Sequence, residues 1–263
     1  MSASGGFQTT RIQKVHSWTE RLRTITLERA ASDFTPGQFF QLGLPLGQSL
    51  LQRAYSAASA PGEALEFFVS EVPGGSLTPS LFGLEPGAEV LLSPTPQGFF
   101  TLQEVPVGRT LWLLCTGTGL GPYVSMLRAA RHPGPTREAL LRFERLVLVH
   151  GVRDPAELAY GEELAGLSAE GLPLTLVAAI SQPQKEAAHR DTPPARLLPG
   201  RITTLLGQGA LEAEAGCAMQ KDSQVLLCGN PAMIQEVTAL LAERGLRKHR
   251  RREPGQLHFE KYW

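Results

Sequence analysis

Two patterns of hydrophobic and polar positions divide the chain. From about Phe7 to Phe100 short runs alternate with a period of two: Arg11-Ile-Gln-Lys-Val, Leu22-Arg-Thr-Ile-Thr-Leu, Gln38-Phe-Phe-Gln-Leu, Leu65-Glu-Phe-Phe-Val-Ser and Glu89-Val-Leu-Leu-Ser. Each such run shows one face to a core and one to water, and several in succession predict an antiparallel barrel or sandwich. Thr35-Pro-Gly-Gln and Glu85-Pro-Gly-Ala place Pro second and Gly third, as a type II turn requires. One helix is expected in this half, Ser76 to Gly83.

After Gly108 the alternation stops. Apolar runs at Thr110 to Cys115, Arg145 to His150, Leu174 to Ile180, Ile202 to Leu206 and Gln224 to Cys228 are interleaved with helical patterns at Tyr123 to Arg131, Ala156 to Leu167 and Pro231 to Gly245. Non-alternating strands followed by helices predict a parallel sheet covered on both faces. The expected architecture is therefore an antiparallel β-barrel domain over residues 1–107, then an α/β doubly wound parallel-sheet domain over residues 108–263. No internal repeat is present, and Gln182 to Pro194 reads as a polar loop.

Composition narrows the classes. A length of 263 residues suits two modest domains, and 42% hydrophobic with 19% charged residues excludes a disordered chain or a coiled coil. Twenty-five basic residues balance twenty-five acidic ones, which removes any whole-chain case for a nucleic-acid binder. The charge is nevertheless unevenly spread. Residues 1–107 hold six Lys/Arg against nine Asp/Glu, and six cations crowd between Arg244 and Arg252. That run is either a docking patch for an acidic partner or the solvated end of the last helix. Cys115, Cys217 and Cys228 are too few and too scattered for a disulfide framework or a metal site. No targeting segment is apparent, and the longest apolar run, Leu172 to Ile180, is too short to cross a bilayer. A cytoplasmic monomer, away from membranes and nucleic acid and without a metal, is expected.

Candidate chemistry collects at a few places. Cys115-Thr-Gly-Thr-Gly-Leu-Gly-Pro follows a buried strand and precedes a helical pattern, where glycines let backbone approach a ligand and helix-start N–H groups attract phosphate. Its Gly-x-Gly-x-Gly-Pro spacing departs from the Rossmann fingerprint. Arg53-Ala54-Tyr55-Ser56 lies on a strand whose alternation puts Arg53 and Tyr55 on one face; a guanidinium there can clamp phosphate and a phenol can cover a flat ring, although an exposed pair on a sheet face reads the same way. Gly74-Gly75-Ser76-Leu77-Thr78 opens the predicted helix with hydroxyls. Cys228-Gly229-Asn230-Pro231 repeats the strand, turn, helix arrangement, with a structural thiol as the alternative for Cys228. The chain ends Tyr262-Trp263, rings that either cover something flat or add to the core.

Taken in order, Arg53-Ala-Tyr-Ser, Gly117-Thr-Gly-Leu-Gly-Pro, Cys228-Gly-Asn-Pro and Tyr262-Trp263 resemble the ferredoxin/flavodoxin–NADP reductase family, the bacterial type most closely, and the likeness runs over nearly the whole chain. The resemblance implies that the barrel binds FAD through Arg53, Ala54, Tyr55, Ser56, Phe68, Val69, Ser70, Ser76, Leu77, Thr78 and Thr118, with Tyr262 and Trp263 covering the cofactor. It implies that the second domain binds NADP(H) through Arg153, Gln182, Arg201 and Asn230, the two arginines meeting the 2'-phosphate. Gln182 stands where the bacterial pattern commonly has a further arginine, with Lys185 and Arg190 in the loop that follows. Ser56, Cys228 and Tyr262 are expected to border the reacting rings.

The implied activity is electron transfer between NADP(H) and a one-electron carrier, ferredoxin or flavodoxin, by hydride transfer between nicotinamide C4 and flavin N5. Arg250, Arg251 and Arg252 are the expected docking cations. Two other readings stand beside it: an NAD(P)H flavin or quinone reductase with a diffusible acceptor, and a nucleic-acid-binding module, which zero net charge disfavours. The direction of electron flow, the partner's identity and the preference for NADPH over NADH stay open in the sequence.

Overall fold

The computed structural model describes residues 6–30, 33–47, 49–183 and 196–261. Two compact units divide the chain, one of Met1–Thr101 with Gly121–Ala129, the other of Leu102–Leu120 with Ala130–Trp263.

The first unit is built on β1 (Gln8–Thr19), β2 (Leu22–Ala30), β3 (Phe39–Leu46), β4 (Ser49–Ser56), β5 (Ala64–Ser70) and β6 (Glu89–Leu92), in the order β4-β3-β6-β1-β2-β5. Every neighbouring pair is antiparallel. The two ends of the sheet meet through an antiparallel bridge from Ala57 to Phe67, with Ala58 N donating to Glu66 O at 2.8 Å, and this closes a barrel. Alternation sends Ile12, Ile25, Leu27, Phe40, Leu42, Phe67 and Val90 inward, as the period of two requires. The Thr35-Pro-Gly-Gln turn forms as expected: Gln38 N donates to Thr35 O at 3.0 Å and Gly37 has φ +100°. A Cβ on Gly37 would lie 1.9 Å from Phe100 O, so only glycine fits.

Helix α1 (Thr78–Phe82) is shorter than the stretch the sequence suggests. The Thr78 hydroxyl accepts from Val72 N at 2.9 Å and donates to Val72 O at 3.4 Å, which fixes the start of α1 against the preceding turn. Helix α2 (Gly121–Ala129) belongs with the barrel, although its position in the sequence puts it beyond residue 107. Ser125 Oγ donates to Ser59 O at 2.6 Å, and Arg128 Nη1 meets Glu66 Oε2 at 2.6 Å with both side chains largely covered.

The second unit carries β7 (Thr110–Thr116), β8 (Arg145–Val152), β9 (Leu174–Ile180), β10 (Arg196–Pro199), β11 (Ser223–Gly229) and β12 (Leu257–Lys261). Their order is β10-β9-β8-β7-β11-β12, and all pairs are parallel. Around them lie α3 (Pro135–Leu141), α4 (Gly161–Ala169), α5 (Ile202–Gly207), α6 (Ala210–Ala215) and α7 (Pro231–Glu243). Trp112, Val147, Val149, Val177 and Leu227 pack against Ile202, Leu206, Ile234 and Leu241 on one face.

Several elements differ from the sequence pattern, the short helices α3 and α6 among them, which it did not mark. The run Ile202 to Leu206 is helical: Ile202, Leu205 and Leu206 are its buried positions, a spacing of three and four. Strands β10 and β12 escape the pattern because each is an edge strand of four or five residues, with charged members. No helix among the described residues is long and apolar enough to cross a membrane.

Candidate functional site

Strand β4 hydrogen-bonds β3 along its whole length, with Leu42 opposite Arg53 and Phe40 opposite Tyr55. The Tyr55 ring is half-buried with its centroid 6.1 Å from that of Phe67, and burial pushes its phenol up to about 12 despite the nearby Arg53. The hydroxyl is therefore a neutral donor at ordinary pH. Arg53 is exposed; Nη1 donates to Gln52 O at 2.7 Å and Nη2 to Ser76 Oγ at 2.9 Å. Among the described residues no carboxylate neutralises it. An unneutralised guanidinium joined to a hydroxyl is the donor set a diphosphate needs.

The turn that delivers Ser76 is fixed by sterics. Gly75 N donates to Val72 O at 2.8 Å, and a Cβ on Gly75 would stand 2.8 Å from that same oxygen. Behind the β4 face, Ser56 and Phe68 are buried, and the Ser56 carbonyl and Phe68 Cβ each lie 3.8 Å from where a Cβ on Gly121 would sit. Ser70 is half-buried and Ala54 exposed. Val69 packs inside the barrel core, so only its backbone is available to a ligand. The Thr78 hydroxyl is taken up by Val72, and Leu77 is buried.

In the second unit the chain runs outward from β7 through β8 and β9 to β10, then returns to the other side of β7 as β11. Open parallel sheets bind ligands beyond the strand carboxyl ends at such a reversal. The two loops that leave β7 and β11 there pack closely against each other at Gly119 and Gly229, with no room for a side chain at either. A Cβ on Gly119 would lie 2.5 Å from Cys228 O, and one on Gly229, at φ +120°, 2.4 Å from Thr116 Oγ1. Thr116 Oγ1 also accepts from Asn230 N at 2.8 Å, while the Asn230 side chain caps α7 by accepting from Ala232 N at 2.8 Å. Residues Gly117–Leu120 form one 3-10 turn that leads directly into α2, with Thr118 buried in it. The thiol of Cys228 is buried, as is that of Cys115, whose pKa burial raises well above its ordinary value.

Further along the same edge lie the candidates for the 2'-phosphate. Ser181 N and Gln182 N donate to Val152 O and Arg153 O at 3.0 and 2.8 Å, which ties the ends of β8 and β9 together. Arg153 is largely exposed but held by Glu157, whose carboxylate accepts from the Arg153 backbone N at 3.0 Å and from Nη2 at 2.8 Å. Arg201 stands exposed before α5 without a carboxylate partner among the described residues. The sequence reading missed Thr116, Glu157 and His150. Glu157 had a weak signal in its spacing of four from Arg153, and the others had none.

The basic run is less uniform than its composition suggests. Arg251 is bound by Glu104 through Nε at 3.1 Å and Nη2 at 2.8 Å, and Arg250 lies 3.5 Å from Glu253. Arg252 is exposed. These residues sit at the amino end of β12, separated from the carboxyl edge of the sheet by that strand's length, about 16 Å. Tyr262, Trp263, Lys185 and Arg190 lie outside the described residues. Among the described residues no group of three or more His, Cys, Asp or Glu side chains is placed to hold a metal ion.

Comparison with known proteins fits this geometry. Residues 113–239 match the family model described as the oxidoreductase NAD-binding domain. The chain is 41% identical over 232 residues to a flavodoxin/ferredoxin–NADP reductase of Escherichia coli (strain K12), covering 87% of each. It is 36% identical to ferredoxin–NADP reductase A of Sorangium cellulosum (strain So ce56), over 97% of this chain and 90% of that one. A crystal structure of a ferredoxin NADP+ reductase from Neisseria gonorrhoeae with bound FAD and NADP superposes with a TM-score of 0.84 at 29% identity, covering 97% and 98% of the two chains.

Proposed function

The chain belongs to the flavodoxin/ferredoxin–NADP reductase family, and from that premise we propose that it moves electrons between NADP(H) and a one-electron carrier through a resident FAD. The carrier is ferredoxin or flavodoxin. The observation that carries the reading is the Arg53–Ser76 contact, which unites two separate motifs into one anion-binding corner on the barrel. FAD, when bound, supplies hydride exchange with nicotinamide and release of single electrons.

The chain's own residues supply binding and orientation. Arg53 and Ser76 would hold the diphosphate, the Tyr55 ring would cover the flavin, and buried Ser56 and Phe68 would line it with the backbone of Val69 and Ser70. Ala54, Leu77 and Thr78 would add backbone and small side chains to that site, and Thr118 is assigned to the same cofactor. Gly119 and Gly229 bring backbone close to the dinucleotide, Asn230 fixes the start of α7 beside it, and Arg201 meets the 2'-phosphate together with Arg153. Gln182 contributes a neutral hydrogen bond, so selectivity for NADPH rests on these two arginines. Cys228 borders the reaction as a polarizable neighbour, and Tyr262 and Trp263 are assigned to the flavin.

Arg250 and Arg252 are the cations that draw an acidic carrier, with Arg251 serving the fold through Glu104. A monomer in the cytoplasm is proposed, supported by the three free cysteines, which suit a reducing compartment.

The test is a visible spectrum of the purified protein, followed by anaerobic titration with NADPH and with NADH, then turnover with flavodoxin, ferredoxin and free flavin. The reading expects a yellow protein, bleached far more efficiently by NADPH and faster with a protein carrier. A colourless preparation that binds no added FAD overturns it. Equal turnover with free flavin transfers the assignment to a diffusible acceptor.

A further inference from the structure

On β8, His150 lies between Cys115 of β7 and Ala178 of β9, on the sheet face it shares with Val152 and Ile180. The ring is buried, and Nε2 lies 3.1 Å from Gly117 O. A carbonyl only accepts, so Nε2 carries the hydrogen. Gly117 takes φ +52°, a left-handed conformation, at the first position of the turn that follows β7. Its carbonyl and the Thr118 N–H share one planar trans peptide unit, in which the two groups point in opposite directions. Fixing the carbonyl on the His150 ring therefore fixes the Thr118 N–H pointing away from it. The first N–H groups of a helical turn have no acceptor inside the turn and are the ones a phosphate meets.

We propose that His150 is a positioning residue for the pyridine dinucleotide: it orients the glycine turn Gly117–Leu120 by a hydrogen bond to the Gly117 carbonyl, without touching the ligand. The proposal rests on the reading that NADP(H) binds at this turn. Burial pushes the ring down to about 4, against the opposing influence of the Gly117 hydrogen bond and Glu157, so it stays neutral at ordinary pH and brings no charge to the site. This separates it from Arg153 and Arg201, which act by charge.

Two variants test it in the full-chain protein. His150→Leu keeps the bulk and removes the donor; His150→Gln keeps an amide donor at similar reach. NADP+ affinity is read by calorimetry on the oxidised protein, and hydrogen exchange at the Thr118 and Gly119 amides is followed without dinucleotide. His150→Leu should weaken NADP+ binding about tenfold, as expected for a buried acceptor left without its donor. It should also speed exchange at both amides and place the kinetic loss on KM for NADPH. His150→Gln should recover to within about threefold of the parent. Parent-like affinity and exchange in His150→Leu overturn the proposal, as does a His150→Gln variant as defective as His150→Leu. A parent protein that binds no NADP+ instead overturns the functional reading itself.

Discussion

Arg53 on β4 donates from Nη2 to Ser76 Oγ at 2.9 Å, joining a strand residue to a glycine-bounded turn 23 positions away. Neither residue makes an anion site alone. Together they present a guanidinium and a hydroxyl on the exposed side of the barrel, with the Tyr55 ring on the same strand.

Arg53→Ala should yield protein with little bound flavin, because the diphosphate loses its charged partner; Arg53→Lys should retain part of it, since a point charge replaces a planar fork. The flavin absorbance per protein after gel filtration measures this. Full occupancy in Arg53→Ala would remove Arg53 from the cofactor site.

Gly119→Ala and Gly117→Ala should differ in kind. At Gly119 the new Cβ meets Cys228 O at 2.5 Å, a backbone atom that cannot step aside, and a loss of about 3 kcal/mol is expected from overpacking. At Gly117, where nothing lies within 4 Å, only the left-handed φ of +52° resists, at roughly 1–2 kcal/mol. Urea unfolding of both variants decides it, and equal losses would contradict the packing at the β7 and β11 ends.

Arg201→Ala should lower the ratio of kcat/KM for NADPH over NADH by about tenfold or more, since a charge-assisted contact to the 2'-phosphate is lost. Gln182→Arg should raise the same ratio by restoring a cation. A ratio that moves in neither variant would show that the phosphate is held elsewhere.

Stability should fall as the solution is acidified below about pH 6.5. Burial drives His150 down to about 4 and His258 down to about 3; His249, stacked on His258 at 4.3 Å, pushes the latter further down while Glu104 opposes. Both rings are neutral when folded, and the unfolded chain takes up their protons first. Their contribution is complete above the ordinary histidine pKa of 6.5 and is lost as pH drops toward the folded values. Each should cost about 2 kcal/mol between about pH 6.5 and pH 5. Urea midpoints across that range give the slope, which should flatten in His258→Gln. A flat profile in the parent would mean that both rings reach solvent.

Charge reversal at Arg250 and Arg252 should raise KM for an acidic carrier and reduce the salt dependence of its reduction, while leaving NADPH oxidation by a small acceptor intact. Arg251→Ala should act mainly on stability, through Glu104. An unaltered carrier KM after the double reversal would move docking to another surface.

How much was legible depended on the range of the interaction. The period-two runs and non-alternating runs determined a barrel and a parallel α/β sheet, because side-chain direction along a strand is a local property. Thr35-Pro-Gly-Gln determined its own turn for the same reason. The motifs Arg53 to Ser56, Gly117 to Pro122 and Cys228 to Pro231 could be found as strings, since each is a few adjacent residues. Tertiary structure alone decided that α2 packs with the barrel, through Ser125 and Arg128, and that Arg251 is held by a carboxylate 147 positions away. It also decided that Gly119 lies against Cys228 and that His150 holds Gly117. These contacts join segments whose separation along the chain says nothing about their distance in space: strand order brings β11 back beside β7, and only then do a glycine's missing Cβ and a buried imidazole acquire a function.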